Sequence, residues 1–202
     1  AQHSYSSCGQ YRQNITDARL SIQSAGHRDI EIHYVGGWHT HPGFIQANVD
    51  HIATAQSSLP SDVRDCARII FTAHSIPSSM AQDCRYERDL QESARSVAKQ
   101  LGTENWELVY QSRSGRPDDP WLEPDICDYL RDQKDHGLTA AVIAPIGFVA
   151  DHIEVLYDLD TEAAEICQTL EIPMARAAAV NDHPAFIDML GELTRGMYQR
   201  AE

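Results

Sequence analysis

Positive charge is scarce in this sequence. Lys and Arg number 16 against 30 Asp and Glu, a formal net charge of −14. A chain this acidic is repelled by nucleic acid and by anionic membrane, so neither is expected as a partner. An acidic ligand would need arginines placed close to it. Long apolar runs are also missing. Residues 137–150 are uncharged, but the stretch is too short to span a bilayer and contains Pro145, so no transmembrane segment is expected. The amino terminus, Ala1-Gln2-His3-Ser4, is polar and lacks the apolar core of a signal peptide. With no initiator Met, either processing or a start partway through a longer chain is expected, the second favoured. No C-x-x-C pair occurs among the five cysteines (Cys8, Cys66, Cys84, Cys127, Cys167), which are odd in number and widely spaced. Neither a disulfide framework nor a tetrathiolate zinc site is supported, and a reducing cytoplasm is the expected compartment.

What is present is an ordinary globular balance, 42% hydrophobic and 23% charged over 202 residues. That length suits one large domain, or a domain with part of another. Apolar segments alternate with amphipathic ones, the pattern of a parallel α/β sheet flanked by helices. The expected strands are residues 30–34, 67–72, 106–111, 140–145 and 175–179. The expected helices are 10–24, 44–57, 85–101, 125–136 and 153–170. A last helix, 184–202, is expected to follow a cap near Asp182. In open parallel sheets, ligands bind outside the carboxyl ends of the strands. Three unusual segments fall there: residues 72–75, 111–114 and 145–154.

His74 ends an apolar strand. It can be a metal ligand or a base, because an unperturbed imidazole is largely neutral in the cytoplasm. A strand-end histidine bonded to a neighbouring loop is the blander alternative. Glu154, Asp158 and Glu162 recur every four residues, so a helix would stack them on one face. Like charges at that spacing cost a few tenths of a kcal/mol per pair. Six acids lie between Asp151 and Glu165, and no Lys or Arg occurs between Asp135 and Ala175. A visiting cation would relieve such a line; a solvated acidic face would also tolerate it. Imidazole plus carboxylate suits divalent iron among other first-row metals. Bases beside a tetrapyrrole would also take the two N–H protons that leave when a metal enters. Weaker candidates are a zinc-like pair at His39 and His41, with a polar loop more ordinary there, and anion contacts from Tyr11, Arg12, Arg113 and Arg116. Trp121 and Phe148 suit either core or cleft wall.

Three segments, in order, resemble the ferrochelatases. Phe71-Thr72-Ala73-His74-Ser75-Ile76-Pro77 is similar to the family's iron-site histidine segment. Tyr110-Gln111-Ser112-Arg113-Ser114-Gly115 with Pro120-Trp121-Leu122-Glu123-Pro124-Asp125 is similar to its central cleft motif. Residues 145–154 resemble the segment that carries its catalytic glutamate. The resemblance implies a Rossmann-like chelatase domain, the second of two similar domains, inserting Fe2+ into a porphyrin in haem synthesis with no organic cofactor. It implies His74 and Glu154 as the catalytic, iron-binding pair, with Asp158 and Glu162 continuing a metal or proton line. Residues 5–12 resemble a porphyrin-contacting segment of actinobacterial-type members, with Tyr11 as the contact and coproporphyrin III favoured over protoporphyrin IX. Family members are longer, so an amino-terminal domain is expected before residue 1. Residues 1–183 would form the chelatase domain, and helix 184–202 would pack on the missing one. No cysteine after Cys167 is available for the [2Fe–2S] cluster of some members, so no cluster is expected. A cobalt or nickel chelatase and a non-catalytic metal- or tetrapyrrole-binding half-domain are the alternatives.

Overall fold

Four parallel strands form one sheet in the order β2-β1-β3-β4: β1 Arg68–His74, β2 Trp106–Gln111, β3 Ala141–Ala144 and β4 Met174–Arg176. The computed structural model describes residues 9–116 and 119–201. Both faces of the sheet are covered, which is why β1 and β3 read as nearly unbroken apolar runs rather than alternating ones. One face carries α2 (Pro42–Ser58), α4 (Tyr86–Leu101) and α8 (Pro184–Ala201) over a core that includes Phe44, Phe71, Leu90 and Met189. The other carries α5 (Ile126–Asp135) and a helix that starts as α6 (Ile153–Tyr157) and ends as α7 (Ala164–Thr169). Its core includes Ile70, Val109, Leu130, Ile143 and Leu159. A short helix, α3 (Ser78–Gln82), follows β1.

Strand side chains alternate between faces. In β1, Phe71 and Ala73 go to the α2/α4 side and Ile70 to the α5/α6 side. His74 therefore continues the row of Ile70. In β2, Val109 lies on the α5/α6 side and Gln111 continues its row. His74 and Gln111 are also register partners. The two strand ends thus present their last side chains next to each other on the α5/α6 face.

The sequence places the four sheet strands within two or three residues, but its strand at 30–34 is absent. Ile30, Tyr34 and Val35 stay exposed, and no described strand lies beside them to complete a ladder. Helix α1 (Gln10–Ser24) forms as expected but buries no residue. The expected cap at Asp182 is replaced by His183, whose Nδ1 accepts the Ala185 amide at 3.3 Å. Helix α8 packs one face on α2, burying Phe186 and Met189, and leaves Ile187 and Leu190 exposed. No helix is long and apolar enough to cross a membrane among the described residues.

Candidate active site at the sheet rim

His74 is half-buried at the end of β1. Its Nδ1 lies 2.6 Å from the Ser75 carbonyl oxygen, which can only accept, so Nδ1–H donates and the proton sits there. That tautomer leaves the Nε2 lone pair available, the arrangement that second partners impose on metal-binding histidines. The strand end is fixed from several sides. Tyr86 Oη donates to the His74 carbonyl at 2.9 Å, and the Ser75 amide donates to the Gln111 carbonyl at 2.8 Å.

The loop after β3 crosses this end of β1. The Gly147 amide donates to the Thr72 carbonyl at 3.0 Å, and a Cβ on Gly147 would come within 2.6 Å of Ala73 Cβ. Only glycine allows that approach. The loop then enters α6, where His152 Nδ1 caps the Glu154 amide at 3.3 Å and Glu154 sits exposed in the first turn. Asp151 braces the entry. It accepts from Arg176 at 2.9 Å and from Asn181 at 2.9 Å, while its own amide donates to Asn181 at 2.9 Å.

Residues 153–170 run as one helix, as the sequence predicts, but not as an α-helix throughout. Between Asp158 and Ala163 the winding widens to the π type, a local form frequent at functional sites. Asp158 Oδ2 accepts from Gln111 Nε2 at 3.1 Å and from Ser112 Oγ. Glu162 lines a cavity of about 610 Å3 between α5 and α7, together with Asp125, Cys127, Asp128, Arg131 and Glu165. Burial, then the nearby Asp125 and Glu162 carboxylates, push the Cys127 thiol up to about 12. Burial likewise raises Asp125 above the usual carboxylate range, with Asp128 and Asp158 adding to the shift. The acids thus create a negative field along one flank of α5. Arg176 pairs with Asp160 and Asp151, and no Lys or Arg pairs with Glu154, Asp158 or Glu162 among the described residues.

The remaining candidates separate. Tyr11 is 69% exposed on α1, and Arg12 lies over the Tyr34 ring at 4.9 Å. Tyr5 to Cys8 lie outside the described residues. His39 and His41 do not form a zinc pair: His41 caps α2 by accepting the Gly43 amide at 3.1 Å, while His39 turns inward. His39, Asp89 and Glu92 bring one ligand atom each within 4.8 Å of one another. His39 Nε2, however, sits 2.9 Å from a Glu92 oxygen and carries the proton, and Arg85 and Arg88 already pair with Asp89 and Glu92. Arg113 closes its own loop by donating to the Asp119 carbonyl at 2.9 Å; the Arg116 carbonyl lies in the same turn. Trp121 covers Gly115 in that loop, where a Cβ would collide with the indole, and Phe148 is core. Sequence reasoning gave no separate role to Gln111, Ser112 or the Asp151 brace. A buried glutamine ending an apolar strand was the available signal.

The chain matches the family model described as Ferrochelatase over residues 1–197. A ferrochelatase of Rhodopirellula baltica is 46% identical over 92% of this chain and 52% of its own length. A coproporphyrin III ferrochelatase of Streptomyces coelicolor is 43% identical over 96% of this chain and 56% of its own. Among solved structures, a cobalamin (vitamin B12) biosynthesis CbiX protein from Marinobacter aquaeolei VT8 aligns with a TM-score of 0.45 and 17% identity, over 66% of this chain and 98% of its own. The chain spans just over half the length of the curated relatives it matches. The match across residues 1–197 and the relatives above 40% identity carry one conclusion: the chain belongs to the ferrochelatase family.

Proposed function

We propose that this chain is the metal-handling wall of a ferrochelatase, a lyase-type enzyme that inserts Fe2+ into a porphyrin, with coproporphyrin III preferred over protoporphyrin IX. The observation that carries the reading is the His74 tautomer. Its Nδ1–H is committed to a carbonyl, and a free Nε2 lone pair stands on the sheet face that also receives the acidic helix. In this reading, His74 Nε2 and the Glu154 carboxylate hold the incoming ferrous ion, the substrate, loosely enough to release it. As four ring nitrogens bind iron, two N–H bonds break and two protons leave. Glu154 takes protons at the ring, and Asp158 and Glu162 pass metal or protons along the helix. Iron stays ferrous throughout, so the reaction calls for no organic redox cofactor and no [2Fe–2S] cluster.

The coproporphyrin preference rests on the name of the Streptomyces relative. Tyr11 is proposed as a porphyrin contact, and the compartment as the cytoplasm. The second wall of the cleft is proposed to come from an amino-terminal domain. It would cover the exposed Val149, Ile153 and Tyr157 at the rim and Ile187 and Leu190 on α8. The test is anaerobic absorbance with Fe2+ and either porphyrin, using this chain alone and the complete gene product. The complete product is expected to convert coproporphyrin III to the metallated spectrum. Inactivity of that product with both porphyrins would overturn the reading, and turnover by this chain alone would remove the need for a second wall.

A further inference from the structure

We propose that Gln111 and Ser112 are positioning residues, a two-donor latch that holds Asp158 in place at the end of β2 without cancelling its charge. The proposal rests on the iron-handling reading of His74 and its acidic helix.

Both donors bind the same oxygen. Gln111 Nε2 and Ser112 Oγ each donate to Asp158 Oδ2, and Oδ1 makes no hydrogen bond among the described residues. Both donors are neutral. A guanidinium at this place would fix the carboxylate equally well but would repel an approaching cation. The helix shows the difference two residues on, where Arg176 pairs with Asp160. Neutral donors order the carboxylate and leave it attractive to a divalent ion.

Two unfavourable features are kept at the same spot. Ser112 has φ 60, a left-handed conformation that residues other than glycine seldom adopt. Gln111 is 1% exposed, and with its amide nitrogen committed to Asp158 its Oε1 is buried without a hydrogen-bond partner. Such costs persist where the surroundings enforce them, and they cluster at functional sites. Here they lie next to His74, since Gln111 is its register partner and neighbouring strands are about 4.8 Å apart. The latch therefore sets where the acidic helix stands relative to the iron-site histidine, and does so at the first residue of the π winding.

Co2+, a spectroscopic substitute for Fe2+, tests this by titration of the protein with its visible bands as the readout. Ser112→Ala and Ser112→Gly are each expected to weaken Co2+ binding by about tenfold, the usual effect of losing an outer partner of a metal site. Ser112→Gly relaxes the backbone, so it should be the more heat-stable of the two while binding no better. In an Asp158→Asn background, the Ser112 substitutions should add nothing. Recovery of binding in Ser112→Gly would show that only backbone shape matters, and equal losses in both backgrounds would show that Ser112 does not act through Asp158. Either result overturns the latch. His74→Ala is the control: if it removes Co2+ binding while Ser112 variants bind normally, the latch alone fails. If His74→Ala still binds Co2+, the iron-site reading fails and the latch with it.

Discussion

His39 sits among carboxylates, and His74 ends the strand beside Gln111, which holds Asp158; the two imidazoles are used in opposite ways. At His39 the ring is buried and Nε2–H donates to Glu92, with Asp89 3.6 Å away. Arg85, just before α4, and Arg88, in its first turn, supply each acid with a guanidinium. The charges balance locally, and the cluster locks the loop before α2 onto α4, helped by Ser93 Oγ donating to the His39 carbonyl at 2.9 Å. At His74 the proton is on the other nitrogen, and Glu154, Asp158 and Glu162 on the following helix pair with no Lys or Arg among the described residues. Proximity of histidine and acid is therefore a poor guide to a metal site. Which nitrogen carries the proton, and whether arginine has already neutralised the acids, separates the His39 lock from the metal site proposed at His74.

Substitutions can break this contrast. The largest expected effect is Asp89→Ala, which removes a fully buried carboxylate and strands its partners. Stability should fall by about 3–5 kcal/mol in chemical denaturation, with Co2+ binding per folded molecule unchanged. A loss of metal without a loss of stability would reverse the assignment. Next is His74→Ala, expected to abolish metal insertion and lower Co2+ affinity at least about 100-fold, while porphyrin binding and the melting temperature hold. Loss of folding would make His74 structural. Gly147→Ala is smaller, about 1–3 kcal/mol of stability from the clash with β1. It should also reduce metal binding, because the displaced loop leads into the α6 turn that carries Glu154, and it should leave the His39 cluster intact.

The smallest effect is one of pH. The His39 hydrogen bond, then Arg88, lowers Glu92 to about 2 from an ordinary 4.5. A carboxylate depressed in the folded state contributes stability above its unfolded pKa and loses it as pH falls from about 4.5 toward 2. Glu92→Gln should flatten that part of the acid-denaturation curve. An unchanged slope would mean that the lock does not depend on this charge.

Much of the fold around the candidate site was legible in the sequence for a simple reason. Strands buried on both faces are nearly unbroken apolar runs, so their carboxyl ends can be located, and the topology brings those ends to one rim. His74 and the acids after β3 follow from that. The strand at 30–34 failed because alternation reports a half-buried surface only when a neighbouring strand exists. The latch and the lock were hidden because their partners are 46 to 54 residues apart, and no local pattern encodes such a pairing. The tautomer of His74 depends on a carbonyl whose direction only the folded turn sets.

The π winding has a further consequence, one of phase. Glu154, Asp158 and Glu162 repeat every four residues, as do the buried Val155, Leu159, Ala163 and Cys167. On an α-helix a four-residue step overshoots a full turn by about 40°, so two steps would swing Glu162 about 80° away from Glu154. The wider turn between Asp158 and Ala163 rotates less per residue and takes back part of that drift between Asp158 and Glu162. The acidic line thus depends on length as much as on residue identity. Deleting one residue from the widened turn would restore ordinary winding and keep both flanking helices seated. The acids would fall out of line with no change to the chemistry of any one of them.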